Sequence, residues 1–197
     1  MSSRSRMRLV LHRLHDDPIL AVTRIAQLFR ARVAFRGFTV GEGVSATGWV
    51  RACGPGHIEL AAGTLFVGGM VPTELLAHQG AIIRIGAGGM VNYGVSLEAH
   101  RGITIGERCL LASFVRVSDA ADGRGGPVVI GDDVWLAHGV IVEPGVTIGA
   151  GSVVSAGSVV MHDVPPGSLV SGNPAQSTRL AAGATRPAME ARPWQSN

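Results

Sequence analysis

Seven histidines and two cysteines are the side chains in this sequence best suited to acid–base, nucleophilic or metal chemistry. An imidazole, with an ordinary pKa of about 6.5, exchanges a proton near neutral pH and can act as a general base where the fold presents it to a substrate. His12 and His15 lie in an Arg-rich N-terminal stretch; His57, His78, His100, His138 and His162 are spread over the remainder. Two of the runs in which carboxylates stand close to histidine or to one another bear on the argument, LEAH (Glu98, His100) and SDAADG (Asp119, Asp122). Cys53 and Cys109 give no disulfide framework, and no histidine or cysteine spacing has the form of a metal site, so no metal is expected.

A repeat must gather these residues. Ile130, Leu136, Val142, Ile148, Val154 and Val160 recur at every sixth position. Helices bury positions three and four apart and strands every second one, so a sustained period of six requires a backbone that turns a corner after each short strand. Small residues follow the aliphatic ones (Gly131, Ala137, Gly149, Ser155), and a second inward class precedes them by two (Val134, Val140, Val146, Ser152, Ser158). The pattern predicts a β-solenoid with three hexads per coil. It recurs more weakly upstream at Val40, Ala46 and Ala52; at Leu60, Phe66 and Pro72; at Ile85, Val91 and Leu97; and at Ile105, Leu111 and Val117, making about six coils. Interruptions after Ala52, Pro72, Leu97 and Val117 all follow a third hexad. They should stack along one edge, placing His78, His100 and the segment Ser118 to Pro127 in one neighbourhood.

Composition agrees. Glycine is abundant at 28 residues, aromatics make up 5% and charged residues 16%, as tight coils with small and aliphatic interiors require. The sequence pI of about 9.6 rests on a net charge of only +3. Its arginines cluster at the ends and are not interleaved with aromatics along a groove, which argues against a nucleic-acid partner. Cys109 falls at an inward position and reads as a small core residue.

Residues 1–39 are expected to form an N-terminal cap, 40–179 the solenoid and 180–197 a flexible tail. PILAVTRIAQLFR (residues 18–30) places Ile19, Val22, Ile25, Leu28 and Phe29 on one helical face, with Pro18 in the first turn and Asp16 or Asp17 as cap. This helix should cover the solenoid's open end, which would otherwise be a sticky edge. Its flanking arginines allow contact with a membrane surface as the alternative. No run reaches membrane-spanning length and no uninterrupted apolar signal region is present, so a cytoplasmic location is the default. Pro165 and Pro166 should end the hexads, and Asn173-Pro174 should set a tight turn.

The ordered series IGDDVW, PGVTIGAGSVV, DVPP and GNPA within Pro127 to Ala175 resembles the hexapeptide-repeat acyltransferases, above all the galactoside, maltose and polysaccharide O-acetyltransferases. The resemblance covers Ile85 to Arg179 well and Val40 to Met70 loosely. It implies an all-β, left-handed parallel β-helix (hexapeptide-repeat solenoid) with a short N-terminal helix. It also implies a homotrimer, sites between subunits, acetyl-CoA or another acyl-CoA as co-substrate, and a small-molecule or glycan acceptor. In the family a histidine takes the proton from the acceptor hydroxyl as it attacks the thioester, in a loop that here reads SDAADGRGG.

No histidine follows Ser118-Asp119 in that loop; the family position holds Asp122 or Gly123. A carboxylate there starts about 2.6 pK units less basic than imidazole, about 3.5 kcal/mol less driving force for proton transfer. His100, one coil below at the same corner, is the nearest substitute. Candidate catalytic residues are therefore His100, Asp122 and Asp119. The resemblance places Asn92 and Glu98 toward the acceptor. It places Trp135, His138, Ala156, His162 and Arg179 toward the acyl-CoA, His162 standing where relatives often carry lysine near the phosphates. The function implied is CoA-dependent O-acyl transfer to a hydroxyl of a sugar, polysaccharide or secondary metabolite. The alternative is a silent or repurposed relative that binds CoA or an acceptor or performs different chemistry.

Overall fold

Short strands, each ending where a small residue lets the backbone turn, wind the chain into a parallel β-helix. The computed structural model describes residues 18–121 and 124–180. Six coils each give one strand to each of three flat faces. The first face runs from Thr39–Val40 to Thr147–Ile148, the second from Ser45–Ala46 to Val153–Val154, and the third from Val50–Cys53 to Val159–Val160. Val40, Leu60, Ile85, Ile105, Ile130 and Ile148 pair in one column. Ala46, Phe66, Val91, Leu111, Leu136 and Val154 form a second. Beyond the end coil these side chains are buried, as are Cys109 and the second inward class from Val134 to Ser158.

The third column contains the one misplaced hexad. Ala52 pairs with Leu75, which pairs with Leu97, and the column continues through Val117, Val142 and Val160. Leu75, not Pro72, is the inward residue of the second coil. Leu75 lies nine positions after Phe66 because the segment from Gly68 to Pro72 loops out before the third strand, where proline's missing N–H is harmless.

Close approach of successive coils explains the small residues after each aliphatic. A Cβ added at Gly131 would lie 2.7 Å from the backbone nitrogen of Ala150. Gly131→Ala is expected to destabilise the protein by about 1–3 kcal/mol, read as a lower thermal midpoint; an unchanged midpoint would mean the coils separate there without cost.

Helix α1 (Pro18–Ala34) covers the open end through Ala31, with the Phe35 ring just beyond it tilted at 45° against that of Phe66, centroids 4.9 Å apart. The expected apolar face is only partly used: Leu28 is half-buried, whereas Val22, Ile25, Phe29 and Val33 remain exposed. A triangular coil end needs only a narrow seam, so the helix covers it with positions 28, 31 and 35 and leaves a second apolar stripe outward. A groove of about 350 Å³ lies between that stripe and Trp49. Among the described residues no helix is long and apolar enough to cross a membrane. Asp16, Asp17 and the 181–197 segment lie outside the described residues.

After Val160 the hexads stop, but the second face does not. Ser168–Gly172 joins it parallel to Val153–Val154, and Ala175–Arg179 folds back antiparallel across a cis Asn173–Pro174 bond. The outward residues of this face, in register, are Ser45 under the helix and then Leu65, Met90, Leu110, Trp135, Val153 and Leu169. Those of the first face are mostly polar: Thr39, Glu59, Arg84, Thr104, Val129 and Thr147. The third face is polar through Arg51, Glu74, Ser96 and Arg116 and apolar only at Ile141 and Val159, so the second face is the most apolar outer wall.

Candidate functional site

The corner between the third and first faces brings two histidines together. Ala77 pairs with Ala99, so the residues that follow, His78 and His100, stand one above the other. His78 N–H donates to the Ala99 carbonyl at 2.8 Å. The two imidazoles stack with centroids 3.8 Å apart and planes within 14°. Both Nε2 atoms meet the same oxygen, Oε1 of half-buried Glu98, at 3.0 Å from His78 and 3.2 Å from His100. The hydrogen bond from His78, opposed by partial burial and reinforced by His100, holds the Glu98 carboxyl below its usual range. An ionised carboxylate only accepts, so each ring carries its proton on Nε2. The opposite nitrogen of His100, Nδ1, then bears a lone pair, and it has no hydrogen-bond partner among the described residues.

Asp119 anchors this corner from beneath. It has no solvent exposure. Its Oδ1 accepts from the backbone N–H of His100 at 2.6 Å, and Oδ2 from those of Arg101 at 2.7 Å and Gly102 at 2.5 Å. The loop above is a two-stranded flap, Ala120–Ala121 against Arg124–Gly125, with Gly126 N–H closing on the Asp119 carbonyl at 2.9 Å. Arg101 Nη1 donates to the Gly125 carbonyl at 3.2 Å. Asp119 thus faces the backbone rather than the open corner, and a carboxylate so occupied is poorly placed to take a proton from a ligand. Asp122 lies outside the described residues.

The remaining candidates lie elsewhere. At the corner between the second and third faces, Tyr93, Phe114 and His138 form a ladder of edge-on rings at 5.5 Å spacings. Asn92 stands at its foot, its Nδ2 donating to the Leu111 carbonyl at 3.4 Å. His138 Nδ1 meets Ser113 Oγ at 3.0 Å, and exposed Ala156 follows one coil on. Trp135 is half-buried on the apolar wall, and its enclosed indole N–H has no acceptor among the described residues. His162 is exposed at the His100 edge in the last full coil, and Arg179 is exposed at the end of the final strand. A single chain therefore brings His100, Glu98 and Asp119 together, and separately Asn92, His138 and Ala156, with the third face between the two groups.

The expected neighbourhood of His78 and His100 is present, and His78 joins the site although sequence alone assigns it no catalytic or binding role. The signal was available: His78 and His100 each stand three positions after an inward aliphatic, Leu75 and Leu97. Placing Pro72 inward hid that equivalence.

The bacterial transferase hexapeptide model (six repeats) matches residues 127–162. The hexapeptide-repeat containing acetyltransferase VCA0836 of Vibrio cholerae is 29% identical, with 91% of this chain and 93% of that one covered and a TM-score of 0.51. Its complex with acetyl coenzyme A aligns at 32% identity over 71% of each chain, with a TM-score of 0.46. The chain thus carries the bacterial transferase hexapeptide repeat and is similar over most of its length to hexapeptide-repeat acetyltransferases. A galactoside acetyltransferase in complex with coenzyme A is 25% identical, covering 77% of this chain and 69% of that one, with a TM-score of 0.52. The polySia specific acetyltransferase NeuO, at 22% identity, 73% and 80% coverage and a TM-score of 0.53, shares the fold. No curated protein matches the sequence.

Proposed function

We propose that this protein transfers an acyl group from acyl-CoA, most simply acetyl-CoA, to a hydroxyl of a sugar, polysaccharide or related small molecule, with His100 as general base. The observation that carries this reading is the His100–Glu98 pair at the corner where the family's base loop opens. With Nε2–H donated to Glu98, Nδ1 is the lone pair that takes the acceptor proton. The alkoxide oxygen forms its bond to the thioester carbon, the C–S bond breaks, and the imidazolium returns the proton to the CoA thiolate. Glu98 fixes the tautomer and stabilises the imidazolium, a role carboxylates play beside catalytic histidines generally. Asp119 is a positioning residue that holds the His100 backbone in place.

The acceptor and cofactor contacts assigned to Asn92, Trp135, His138 and Ala156 fit a site shared between subunits, because one chain keeps them across the third face from His100. A homotrimer packed on the apolar wall supplies that arrangement, and the enclosed Trp135 N–H lies on the same wall. Sedimentation at micromolar concentration should give three copies, and Leu169→Glu, at the exposed residue of that wall, should release monomers; a wild-type monomer would remove the shared site. His138→Trp should weaken acetyl-CoA binding by calorimetry without lowering the thermal midpoint, and unchanged affinity would take His138 out of the cleft. The decisive assay of the function is release of free CoA thiol from acetyl-CoA, dependent on added sugar or glycan acceptor. CoA binding with no transfer to any hydroxyl acceptor would favour a silent binding protein.

A further inference from the structure

We propose that His78, Glu98 and His100 form a divalent transition-metal site, of the class that binds Zn²⁺, and that its occupancy switches off the base. The inference starts from the donor atoms. His78 Nε2, His100 Nε2 and one Glu98 carboxylate oxygen all lie within 4.8 Å of one another. The two nitrogen-to-oxygen edges measure 3.0 and 3.2 Å. Ligands about 2.0–2.2 Å from a zinc ion stand roughly 3.0–3.4 Å apart along the edges of octahedral and tetrahedral polyhedra. The two nitrogen-to-oxygen edges therefore have the spacing a metal needs, and two imidazoles with one carboxylate are a donor set suited to zinc and its neighbours.

The site is also held in shape. Glu98 and the residues preceding both histidines lie in strands paired in parallel register. The backbone at His100 is tied to buried Asp119, and that at His78 to the Ala99 carbonyl and the Ala81 N–H. The backbone is thus fixed, and binding asks the two rings, now stacked with centroids 3.8 Å apart and planes within 14°, to turn about their side-chain bonds until both Nε2 lone pairs point at one ion; three protein ligands leave coordination positions for water.

Metal binding and base action compete for the same ring. In the metal-free corner His100 keeps its proton on Nε2, facing Glu98, and its lone pair on Nδ1. A metal on Nε2 requires the lone pair there, so the proton moves to Nδ1 and the nitrogen that serves the acceptor is capped. The change is a tautomer shift with no net proton released, and Glu98 exchanges two N–H donors for one metal bond. The metal site stands on the cluster's geometry alone; only the inhibitory effect rests on His100 being the base.

The test uses the untagged full chain, stripped with chelator and titrated with Zn²⁺ alone. One equivalent per chain is expected, lost in His78→Ala, His100→Ala and Glu98→Gln and kept in His57→Ala. Circular dichroism should show the same fold in all four. In the unmodified protein, Zn²⁺ should protect His78 and His100 from carbethoxylation as read by peptide mass spectrometry, a readout that needs no variant. Absence of a one-equivalent step overturns the metal site, as does a step that survives loss of both histidines or leaves both rings unprotected. Acyl transfer is then measured with and without one equivalent of Zn²⁺. Inhibition is expected; full transfer by the zinc-loaded chain would overturn the switch and the assignment of His100 as base, while leaving the metal site standing.

Discussion

His100→Ala is expected to lower the rate of acyl transfer by about a hundredfold to ten-thousandfold, the usual loss when a general base is removed. The change should fall in kcat, with the KM for acetyl-CoA little altered, because the imidazole is assigned to proton transfer and the CoA contacts to the opposite edge of the third face. The side chain is exposed and its backbone hydrogen bonds go to Asp119, so the thermal midpoint should move little. Two companions locate the effect. Glu98→Gln keeps the shape but replaces the carboxylate with a neutral amide, which removes the charge that stabilises the imidazolium; a loss smaller than that of His100→Ala but well beyond assay error is expected. Asp122→Asn should retain transfer. If instead His100→Ala keeps full rate and Asp122→Asn loses it, the base lies in the flap and the histidine pair has another role.

The solenoid was legible in the sequence because its signal is a period: one aliphatic residue every six from Ile130 to Val160 is compatible with few backbones. Where the period was perturbed, reading became local and failed locally. Pro72 sits at the sixth position after Phe66 and looks like a hexad residue, but a loop of three extra residues displaces the inward site to Leu75. That single slip left His78 in the right neighbourhood but hid its equivalence to His100, on which it stacks because Leu75 pairs with Leu97. The helix shows a different limit. Its apolar residues are too many for one seam, and periodicity alone does not say which side meets the coil end. Nor does sequence say that Asp119 turns inward. A carboxylate in a loop beside a glycine-rich tip looks like chemistry, and only the three N–H groups converging on it reveal an anchor.

Asp119→Ala is therefore expected to affect both stability and the site. It deletes the acceptor for three backbone N–H groups at a position closed to water. An unsatisfied buried donor costs about 1–3 kcal/mol, and hydrogen bonds to charged groups lie toward the upper end. Partial relaxation of the flap should let some of the donors find water, so a net loss of about 3–5 kcal/mol is expected, near the top of the range for single substitutions. Chemical denaturation should show this as a lower midpoint with little change in slope. Asp119→Asn preserves shape yet offers one accepting oxygen and turns an NH₂ group toward a backbone donor, so it should recover only part of the loss. The corner should loosen as well: with the His100 backbone untied, the imidazole no longer meets Glu98 in one geometry. Assayed below its unfolding temperature, Asp119→Ala should lose kcat in the same direction as His100→Ala, while the double variant should be little slower than His100→Ala alone. Rates that multiply independently would mean that Asp119 acts on the reaction by a route other than holding His100. A variant as stable as the wild type would mean that the loop finds other acceptors for the three N–H groups, and that the carboxylate is kept for a purpose other than anchoring the corner.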